Sequence, residues 1–346
     1  MTTITPPAGL DARSARRAPS RLTILALLAI AGAGSFACKK KEVPAGAASP
    51  DAGAGTASPA AAAPTPGPAP GPAIQQAAQP GQVAWGNLKT PSDAAVDGTG
   101  RIWIADQGNS AVRVFDAAGG FLGGWGALGS GPYGLKEPCG IAVHGDDVYL
   151  ADTYNTGVEL FSLAGQRKAT SAAGLYNPHD VAVGPDGKVW IADTGNDRII
   201  VSDHDLANPR PIGKHGAGPE EFSIPASLVV GPSGRVYVAD VDNKRIQVLD
   251  GEGRFRAQWK FAGWGPDGEG YLDVDADDTL YASDAVGNAV VQIDRNGREV
   301  RRWVSDDAGE KFVRPRGVAL DRKNRTLYVV NAGKNSVSKL KLSPAK

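Results

Sequence analysis

Six side chains of this sequence are of the types that polar recognition or catalysis needs, and they share one place in its pattern. Each stands one or two residues after a recurring proline, or after the glutamate that replaces it once: Asp93, Cys139, His179, Asp180, Tyr271 and Arg316. A histidine beside carboxylates can move protons, a cysteine can act as a nucleophile, and an arginine can hold an anionic group. These chemistries require residues that lie far apart in the chain to meet in space.

Each of these residues also has a purely structural interpretation. The two aspartates can cap backbone amides where a strand begins, and Arg316 can form an ion pair with them. Cys139 can be a small buried filler, and His179 can be a polar residue in a wet channel. The residue types alone leave both interpretations open.

The elements that must position these side chains come from a repeat. The stretch 185–201, PDGKVWIADTGNDRIIV, returns at 232–248 as PSGRVYVADVDNKRIQV. An aspartate ends the apolar run in five units, and an asparagine takes its place in the sixth. The steps between them are 46, 41, 47, 44 and 47 residues, and the residues are Asp106, Asp152, Asp193, Asp240, Asp284 and Asn331. Self-similarity at this period indicates a repeat architecture, so six units are predicted after residue 80. These regular aspartates are predicted to tie strand ends to neighbouring backbone.

Each unit is predicted to consist of strands. In the third unit DVAVG alternates and stops at a Pro-Asp-Gly turn, and KVWIAD and RIIVSD follow, rich in β-branched and aromatic residues at period two. Three to four short strands in each of six units fit radial blades, because one flat sheet of so many strands would curl or split. The expected fold class is therefore all-β, a six-bladed β-propeller over residues 81–346.

The sequence also indicates how the ring closes. Three units end in a Trp-bearing strand, FLGGWG, FRAQWK or EVRRWV, whereas the sixth ends at SVSKLKLSPAK without one. The segment QVAWG at 82–86 precedes the first unit and is of the same type. We therefore predict that residues 82–86 supply the outer strand of the last blade and remove an exposed edge by main-chain hydrogen bonds.

The repeated pattern resembles the NHL repeat, most clearly in NPHDVAVGPDGKVWIADTGNDRIIVSD and IPASLVVGPSGRVYVADVDNKRIQVLD. The similarity covers about 88–346. Arg198 and Arg245 hold the family's N-x-R-I position, and the other units depart from it. The resemblance implies a six-bladed propeller of the kind that mostly serves as a recognition platform, with a minority of enzymes.

In such a ring the residues directly after the marker Pro begin the innermost strands, at the mouth of a central channel. Residue types vary there while the flanking pattern stays constant, and folds carry their function at such variable positions. We therefore expect one polar, ligand-binding mouth to which five blades contribute Asp93, Cys139, His179, Asp180, Tyr271 and Arg316.

No metal ligand and no cofactor is predicted. The resemblance implies one enzyme alternative, the amidating lyase, which is built on this propeller and holds a metal on several channel histidines. Here only one of the four histidines, His144, His179, His204 and His215, stands at a channel position, and a zinc site needs three or four converging ligands. A lactonase-like propeller with Ca²⁺ on acidic ligands is a distant alternative. Neither a Ser-His-Asp set, a phosphate loop nor a Cys-x-x-Cys motif is present.

The first 80 residues predict where the protein resides. Four arginines precede the apolar run LTILALLAIAGA at 22–33, which is short for a membrane-spanning helix and suits a secretory signal. The following SFAC resembles a bacterial lipoprotein box, although Ser35 replaces the usual Leu. Residues 1–38 are thus predicted to be a lipoprotein-type signal with Cys38 lipidated; the alternative is an ordinary signal peptide that contains a cysteine. Residues 39–80, rich in Ala, Pro and Gly, are predicted to be a disordered linker.

Charge excludes a generic electrostatic partner. The chain has 37 basic and 37 acidic residues, of which seven basic and three acidic precede residue 81, so the remainder carries a net −4. Nucleic acid is therefore not an expected partner. Cys139 is the one cysteine after the linker, so no disulfide forms within the domain.

The expected function is recognition by a monomer that is lipid-anchored at the bacterial cell envelope, in the outer membrane or facing the periplasm. The ligand would be a protein, peptide or saccharide, bound without turnover. The alternative is a hydrolase or lyase, amidating-lyase-like or lactonase-like, that uses the channel mouth around His179.

Overall fold

A computed structural model describes residues 85–129, 134–172, 174–264 and 270–343. In these residues the chain forms six antiparallel sheets of consecutive strands, five of four strands and one of three, and two short two-stranded parallel sheets. The first strand of each sheet lies innermost and contacts the first strand of the next sheet, and the last contacts the first. The predicted all-β, six-bladed β-propeller is confirmed.

The first three blades follow in chain order. Blade 1 contains β1 (Asp93–Val96), β2 (Ile102–Asp106), β3 (Ala111–Phe115) and β4 (Phe121–Trp125). A parallel pair, β5 (Ala127–Leu128) and β6 (Gly134–Leu135), leads to blade 2 with β7 (Pro138–His144), β8 (Asp147–Asp152), β9 (Gly157–Ser162) and β10 (Arg167–Thr170). Blade 3 contains β11 (Asp180–Val183), β12 (Val189–Asp193), β13 (Arg198–Ser202) and β14 (Arg210–Ile212).

The last three blades repeat this plan. A second parallel pair, β15 (Lys214–His215) and β16 (Glu221–Phe222), precedes blade 4 with β17 (Pro225–Val230), β18 (Val236–Asp240), β19 (Arg245–Leu249) and β20 (Phe255–Lys260). Blade 5 contains β21 (Leu272–Val274), β22 (Leu280–Asp284), β23 (Ala289–Ile293) and β24 (Glu299–Trp303), and blade 6 contains β25 (Pro315–Asp321), β26 (Thr326–Asn331) and β27 (Ser336–Lys341). Three short 3₁₀ turns, Gln107–Asn109, Thr153–Asn155 and Thr194–Asn196, join the second and third strands of blades 1 to 3.

The hydrophobic core lies between blades, as thin sheets require. The described residues form six apolar clusters, and each draws its members from two neighbouring blades, including blades 6 and 1. The second strand of each blade is buried along nearly its whole length. Full burial of one aliphatic or aromatic side chain stabilises the fold by about 1.5–3 kcal/mol, so each interface contributes substantially to closing the ring.

The regular aspartates act as predicted, as ties at strand ends. In blade 4 the Asp240 carboxylate accepts the Ser223 backbone N–H at 2.7 Å, the Asn243 amide at 2.9 Å and the Arg245 guanidinium at 2.7 Å. Asp193 makes the same three kinds of contact in blade 3. The aspartate, asparagine and arginine of the repeat therefore form one buried unit that joins the second strand to the segment before the first.

The prediction that residues 82–86 close the ring reaches the described part of the chain at Trp85 and Gly86; residues 82–84 lie outside it. Trp85 is 6% exposed. Its ring centroid lies 5.2 Å from that of Phe115 in blade 1 and 6.0 Å from that of Tyr328 in blade 6. The indole thus packs between the last blade and the first, and the pairing of the strand itself stays a prediction.

Trp125 provides the comparison for this position. As the last residue of the outer strand of blade 1, it lies 5.6 Å from Trp103 of its own blade and 5.7 Å from Phe161 of blade 2. Tyr328 and Trp103 each stand three residues before the end of the second strand of their blade. Trp85 therefore lies between blades 6 and 1 much as Trp125 lies between blades 1 and 2.

Several predicted features fall on residues outside the described ranges. These are the signal segment 1–38 with Cys38, the linker 39–80 and Glu269, the residue in place of the marker Pro in the fifth unit. Within the described ranges, no helix has the length and apolar character needed to cross a membrane.

Candidate functional site: the axial channel

The first strands of the six blades stand side by side around the axis of the propeller. Small residues fill much of this inner ring, because β1, β7 and β11 read DAAV, PCGIAVH and DVAV. Alanine and glycine let six strands approach one axis and still leave space along it. The side chains at the start of these strands therefore face one another across a narrow channel.

Asp93 and Asp180 face this channel from blades 1 and 3. Asp93 accepts the backbone N–H of Ile141 in blade 2 at 3.1 Å. Asp180 accepts the N–H of Leu228 in blade 4 at 3.0 Å and that of Val181 at 2.8 Å. Each carboxylate thus ties its own blade to the following one, as the structural interpretation expected, and still presents its charge to the channel.

A third carboxylate, Asp273 of blade 5, completes the set and was missed by the sequence reasoning. It accepts the backbone N–H of Leu320 in blade 6 at 2.6 Å and the Arg322 guanidinium at 2.8 Å. It stands two residues beyond Tyr271, the position that the repeat aligns with Asp93 and Asp180. The alternation of acids on blades 1, 3 and 5 was the signal that could have revealed it.

The intervening blades carry residues small enough to accept these acids. A Cβ on Gly140 of blade 2 would lie 2.4 Å from an Asp180 carboxylate oxygen and 2.5 Å from its Cα. A Cβ on Gly317 of blade 6 would lie 2.6 Å from the Asp93 Cα. Blade 4 carries Ser227 at this level, whose hydroxyl accepts the Leu272 backbone N–H at 3.2 Å. Each of Asp93 and Asp180 therefore contacts three successive blades.

A cavity of about 150 Å³ extends along the axis from the three carboxylates. Most of its lining residues are alanines, valines, leucines and an isoleucine of all six inner strands, but the surface that faces the cavity is more polar than apolar. His144 and Arg322 lie among its lining residues near the ends of β7 and β25. The cavity is therefore a short polar passage lined by backbone and small side chains as well as by the three carboxylates.

The other four predicted site residues lie in a separate, buried layer. Cys139, His179, Tyr271 and Arg316 are 1–5% exposed and are not among the residues that line the cavity. Arg316 donates a hydrogen bond to the Gln107 side-chain oxygen at 2.8 Å, and the Gln107 amide lies 3.5 Å from the Cys139 sulfur. The six predicted residues therefore do not form one open mouth. Asp93 and Asp180 line the cavity, whereas the other four residues form a buried layer beside it.

The layer contains a buried hydroxyl without a hydrogen bond. The Tyr271 hydroxyl is buried and makes no hydrogen bond in the structure, although the side chain is 2% exposed. Burial raises the pKa of this hydroxyl well above its ordinary value, and the Cys139 charge acts in the same direction. A buried hydroxyl without a partner is costly, and such groups often mark a place where a ligand or water completes the contacts.

Burial and mutual repulsion set the protonation of the channel. Burial, with the Asp180 charge nearby, raises the pKa of Asp93 well above its ordinary value. Burial also raises the pKa of Asp180 to about 7, against the lowering effect of its hydrogen bonds from Ser227 and two backbone amides. Burial, with the Arg316 charge, lowers the pKa of His179 to about 4. At neutral pH His179 is therefore neutral, and Asp93 and Asp180 are not both ionised.

The described residues contain no group of three or more His, Cys, Asp or Glu side chains placed to hold a metal ion. His144 lies at the end of β7 near the channel, and His215 pairs through Nδ1 with Asp197 at 3.0 Å. Each of the three channel carboxylates accepts a hydrogen bond from a backbone N–H of the following blade.

Comparison with known proteins agrees with this architecture. The family model described as NHL repeat matches residues 88–115, 175–203 and 222–249, which belong to blades 1, 3 and 4. The E3 ubiquitin-protein ligase NHLRC1 of Rattus norvegicus is 30% identical over 111 residues, and that of Homo sapiens is 26% identical over 125 residues. These matches cover 32% and 36% of this chain and 28% and 32% of the relatives, so the chain spans about a third of their length or less.

Solved structures share the fold at low identity. Virginiamycin B lyase from Staphylococcus aureus is 16% identical with a TM-score of 0.53, covering 75% of this chain and 87% of that chain. A gluconolactonase from Xanthomonas campestris is 14% identical with a TM-score of 0.57, covering 74% and 87%. At these identities the likeness concerns the fold alone. Together with the six closed blades, the three matched repeats show a six-bladed β-propeller that contains NHL repeats.

Proposed function

We propose that the protein is a recognition propeller, tethered at the bacterial cell envelope through Cys38, that binds a protein, peptide or saccharide partner without turning it over. The observation that carries the proposal is the axial cavity, to which all six inner strands contribute. At about 150 Å³ it is smaller than the roughly 300–1,000 Å³ typical of pockets for small ligands. A single group projecting from a larger partner suits that volume.

Burial of the reactive residues favours binding over the alternative, a hydrolase or lyase centred on His179. His179 is 4% exposed and Cys139 is 1% exposed. Because Asp93 and Asp180 stand between the cavity and this layer, a substrate in the cavity would meet carboxylates before it met the imidazole. The enzymes of similar fold, a lyase and a lactonase, share too little sequence with this chain to carry their activities over.

Filling the cavity tests the proposal. Ala142 lines the cavity and packs against the apolar cluster between blades 2 and 3, so Ala142→Leu should crowd this part of the channel and abolish partner capture. The full-length protein, extracted in detergent, would be used to capture partners from an envelope extract. Ala118→Leu in an exposed outer turn is the matched control and should capture the same partners as the wild type. Equal capture by a folded Ala142→Leu protein would refute the channel as the binding place.

The tether is tested separately. If Cys38 is lipidated, Cys38→Ser should move the protein from the membrane fraction to the soluble fraction, because the anchor is lost while the propeller is untouched. Mass spectrometry of the N-terminal peptide of the wild type should show the lipid. Membrane retention of the Cys38→Ser protein, with no lipid on the wild-type peptide, would contradict the tether and leave recognition by the channel unaffected.

A further inference from the structure

A second pocket lies on the face of blade 3 that packs against blade 2. Its volume is about 130 Å³. Ile191, Ile200 and Leu206 line it, and the same three residues belong to the apolar cluster that blades 2 and 3 share. None of its lining residues lines the axial cavity. The pocket is therefore a site of its own, separate from the channel.

The strand register shows which side chains point into this pocket. Ile191, Ile200 and Pro211 stand opposite one another on β12, β13 and β14, and all three line the pocket. Side chains two residues apart share one face of a strand, so Arg198 and Ser202 of β13 lie on the same face as Ile200. Both also line the pocket. Ser202 therefore faces the pocket.

Ser202 is an exception at its position in the ring. In every blade the corresponding residue pairs with a residue near the start of the second strand, and in blade 3 that partner is Val189. The other five blades carry large, apolar side chains at this position, each no more than 3% exposed: Phe115, Phe161, Leu249, Ile293 and Leu340. A serine lacks the carbon atoms with which these side chains fill the interface between neighbouring blades. Space is therefore left at this place in blade 3.

The Ser202 hydroxyl is a buried polar group without a partner. The side chain is 4% exposed, and its oxygen makes no hydrogen bond within the described residues. Such a group is costly, and it calls for a water or a ligand that completes its contacts. Arg198, the one charged residue among those that line the pocket, already pairs with Asp193 at 2.7 Å and donates to the Gly174 carbonyl at 2.9 Å. The pocket thus offers an open hydrogen-bonding position, and the charge in its lining is already compensated.

The rest of the pocket is suited to hydrocarbon. The surface that faces it is more apolar than polar. Pro209 and Pro211 are exposed lining residues, so a ligand can enter from solvent beside them. An apolar cavity of about 150 Å³ can hold benzene. A pocket of about 130 Å³ therefore suits a ligand of about five or six heavy atoms.

We propose that this pocket binds a small uncharged aliphatic alcohol of about five or six heavy atoms, with its hydroxyl against Ser202 and its hydrocarbon against the aliphatic walls. A serine hydroxyl can both donate and accept a hydrogen bond, so it can pair with the hydroxyl of the ligand. A charged ligand is disfavoured, because burial of an unpaired charge costs far more than burial of a hydroxyl. This site goes beyond the proposed recognition function and does not depend on it.

The test uses 3-methyl-1-butanol, which has five carbons and one hydroxyl. Saturation-transfer NMR of the full-length protein in detergent should give a saturable signal from the alcohol. Ser202→Leu gives blade 3 the residue that blade 4 carries at this position, so it should fill the pocket and remove that signal. The same detergent in both samples subtracts the alcohol that enters the micelle. Equal signals from the wild type and a folded Ser202→Leu protein would overturn the proposal.

The roles of charge and of the hydroxyl are measured in the same way. The compounds 3-methylbutanoate and 3-methylbutylammonium keep the branched five-carbon skeleton and should bind at least tenfold more weakly, because each would bury a charge. Ser202→Ala keeps the space and should weaken binding of the alcohol by about two- to tenfold, since one hydrogen bond is lost. Ser233→Leu in an exposed turn is the matched control and should bind as the wild type does. If either ion binds as tightly as the alcohol, the proposal is wrong.

Folding is checked on the same variants. Ser202→Leu should melt at or above the wild-type temperature, because it replaces an unpartnered hydroxyl with buried apolar surface. If it does not fold, Ser202→Ala provides the test instead. A folded Ser202→Ala protein that binds the alcohol as tightly as the wild type would overturn the proposal.

Discussion

The aspartates at the strand ends and the aspartates in the channel are the same residue in two different settings. At the strand ends the carboxylate recurs in five of six blades and is bonded to a backbone amide and, in blades 1, 3 and 4, to an asparagine and an arginine. In the channel the carboxylate stands on alternate blades, and Asp93 and Asp180 have no arginine partner among the described residues.

The two groups of aspartates differ in the partners that their carboxylates have within the fold. In blades 1, 3 and 4 the strand-end contact includes its own arginine counter-charge, so it is complete without a ligand. The channel acids are also part of the fold, since they bond the next blade. Burial raises the pKa of Asp93 and of Asp180, and Asp273 is paired with Arg322. The surroundings of the carboxylate, rather than the residue type, therefore distinguish the channel acids from those at the strand ends.

The largest effect is expected at a strand end. Asp240→Ala should lower the free energy of unfolding by about 3–5 kcal/mol, because it leaves the Arg245 guanidinium buried without its carboxylate; the Arg245 side chain is 8% exposed. Chemical denaturation would measure it. Glu310→Ala, which breaks an exposed pair with Lys334, should cost less than about 1 kcal/mol. If the two variants lose a similar free energy of unfolding, the buried strand-end carboxylate contributes no more than an exposed one.

The next effect concerns the closing segment of the ring. The fragment 81–346 should fold, whereas 88–346 lacks Trp85 and should lose about 1.5–3 kcal/mol from that side chain alone, with a lower melting temperature. Trp85→Ala within 81–346 separates the indole from the strand. Melting temperatures that agree between the two fragments would show that residues 82–86 do not close the ring.

A smaller effect is expected from crowding the channel. Gly140→Ala should cost about 1–3 kcal/mol, the usual range for forcing an extra methyl into a packed site, because its Cβ would meet the Asp180 backbone at 2.5 Å. Gly98→Ala, where a Cβ would meet nothing within 4 Å, is the matched control. Thermal denaturation of the two variants decides whether the acids of the channel are held as tightly as the structure indicates.

The smallest effect is a pH dependence. The folded protein keeps a proton on Asp180 up to a pKa of about 7, whereas the unfolded chain releases it near 4, so stability from this group falls as pH rises between these values. Asp93 acts in the same direction, while His179, with its pKa lowered to about 4, acts oppositely as pH rises from 4 to 6.5. Asp180→Asn should flatten the fall in melting temperature between pH 5 and 7. An unchanged profile would mean that Asp180 titrates normally.

The fold was predictable because its determinants are local and repeated. Alternation in DVAVG and KVWIAD, the Pro-Asp-Gly turn and the period of the strand-end aspartates together specify blades, and six units specify a ring. Even the role of Asp193 and Asp240 followed from their regularity. The arginine partner was less predictable: in blade 1 Arg113 bonds Asp106 at 2.5 Å from a position two residues beyond the family's usual one.

The site was predictable only in part, because the repeat pattern does not indicate how deep along the channel each side chain lies. The alignment correctly brought Asp93 and Asp180 to the axis. It could not show that His179 and Arg316 lie in a buried layer, since that depends on how closely six strands approach. Asp273 escaped because it is displaced by two residues from the aligned position, and the side-chain period of a strand still points it to the same face.

The closed ring of inter-blade clusters has a consequence for how the molecule opens. A linear array of repeats loses its end units first, because each has one neighbour. Here every blade packs against two others, including blade 6 against blade 1, so detaching any blade exposes two apolar faces at once. Amide protons of the second strands, β2, β12 and β22 alike, are therefore expected to exchange with solvent together, at the rate of global unfolding rather than in order along the chain.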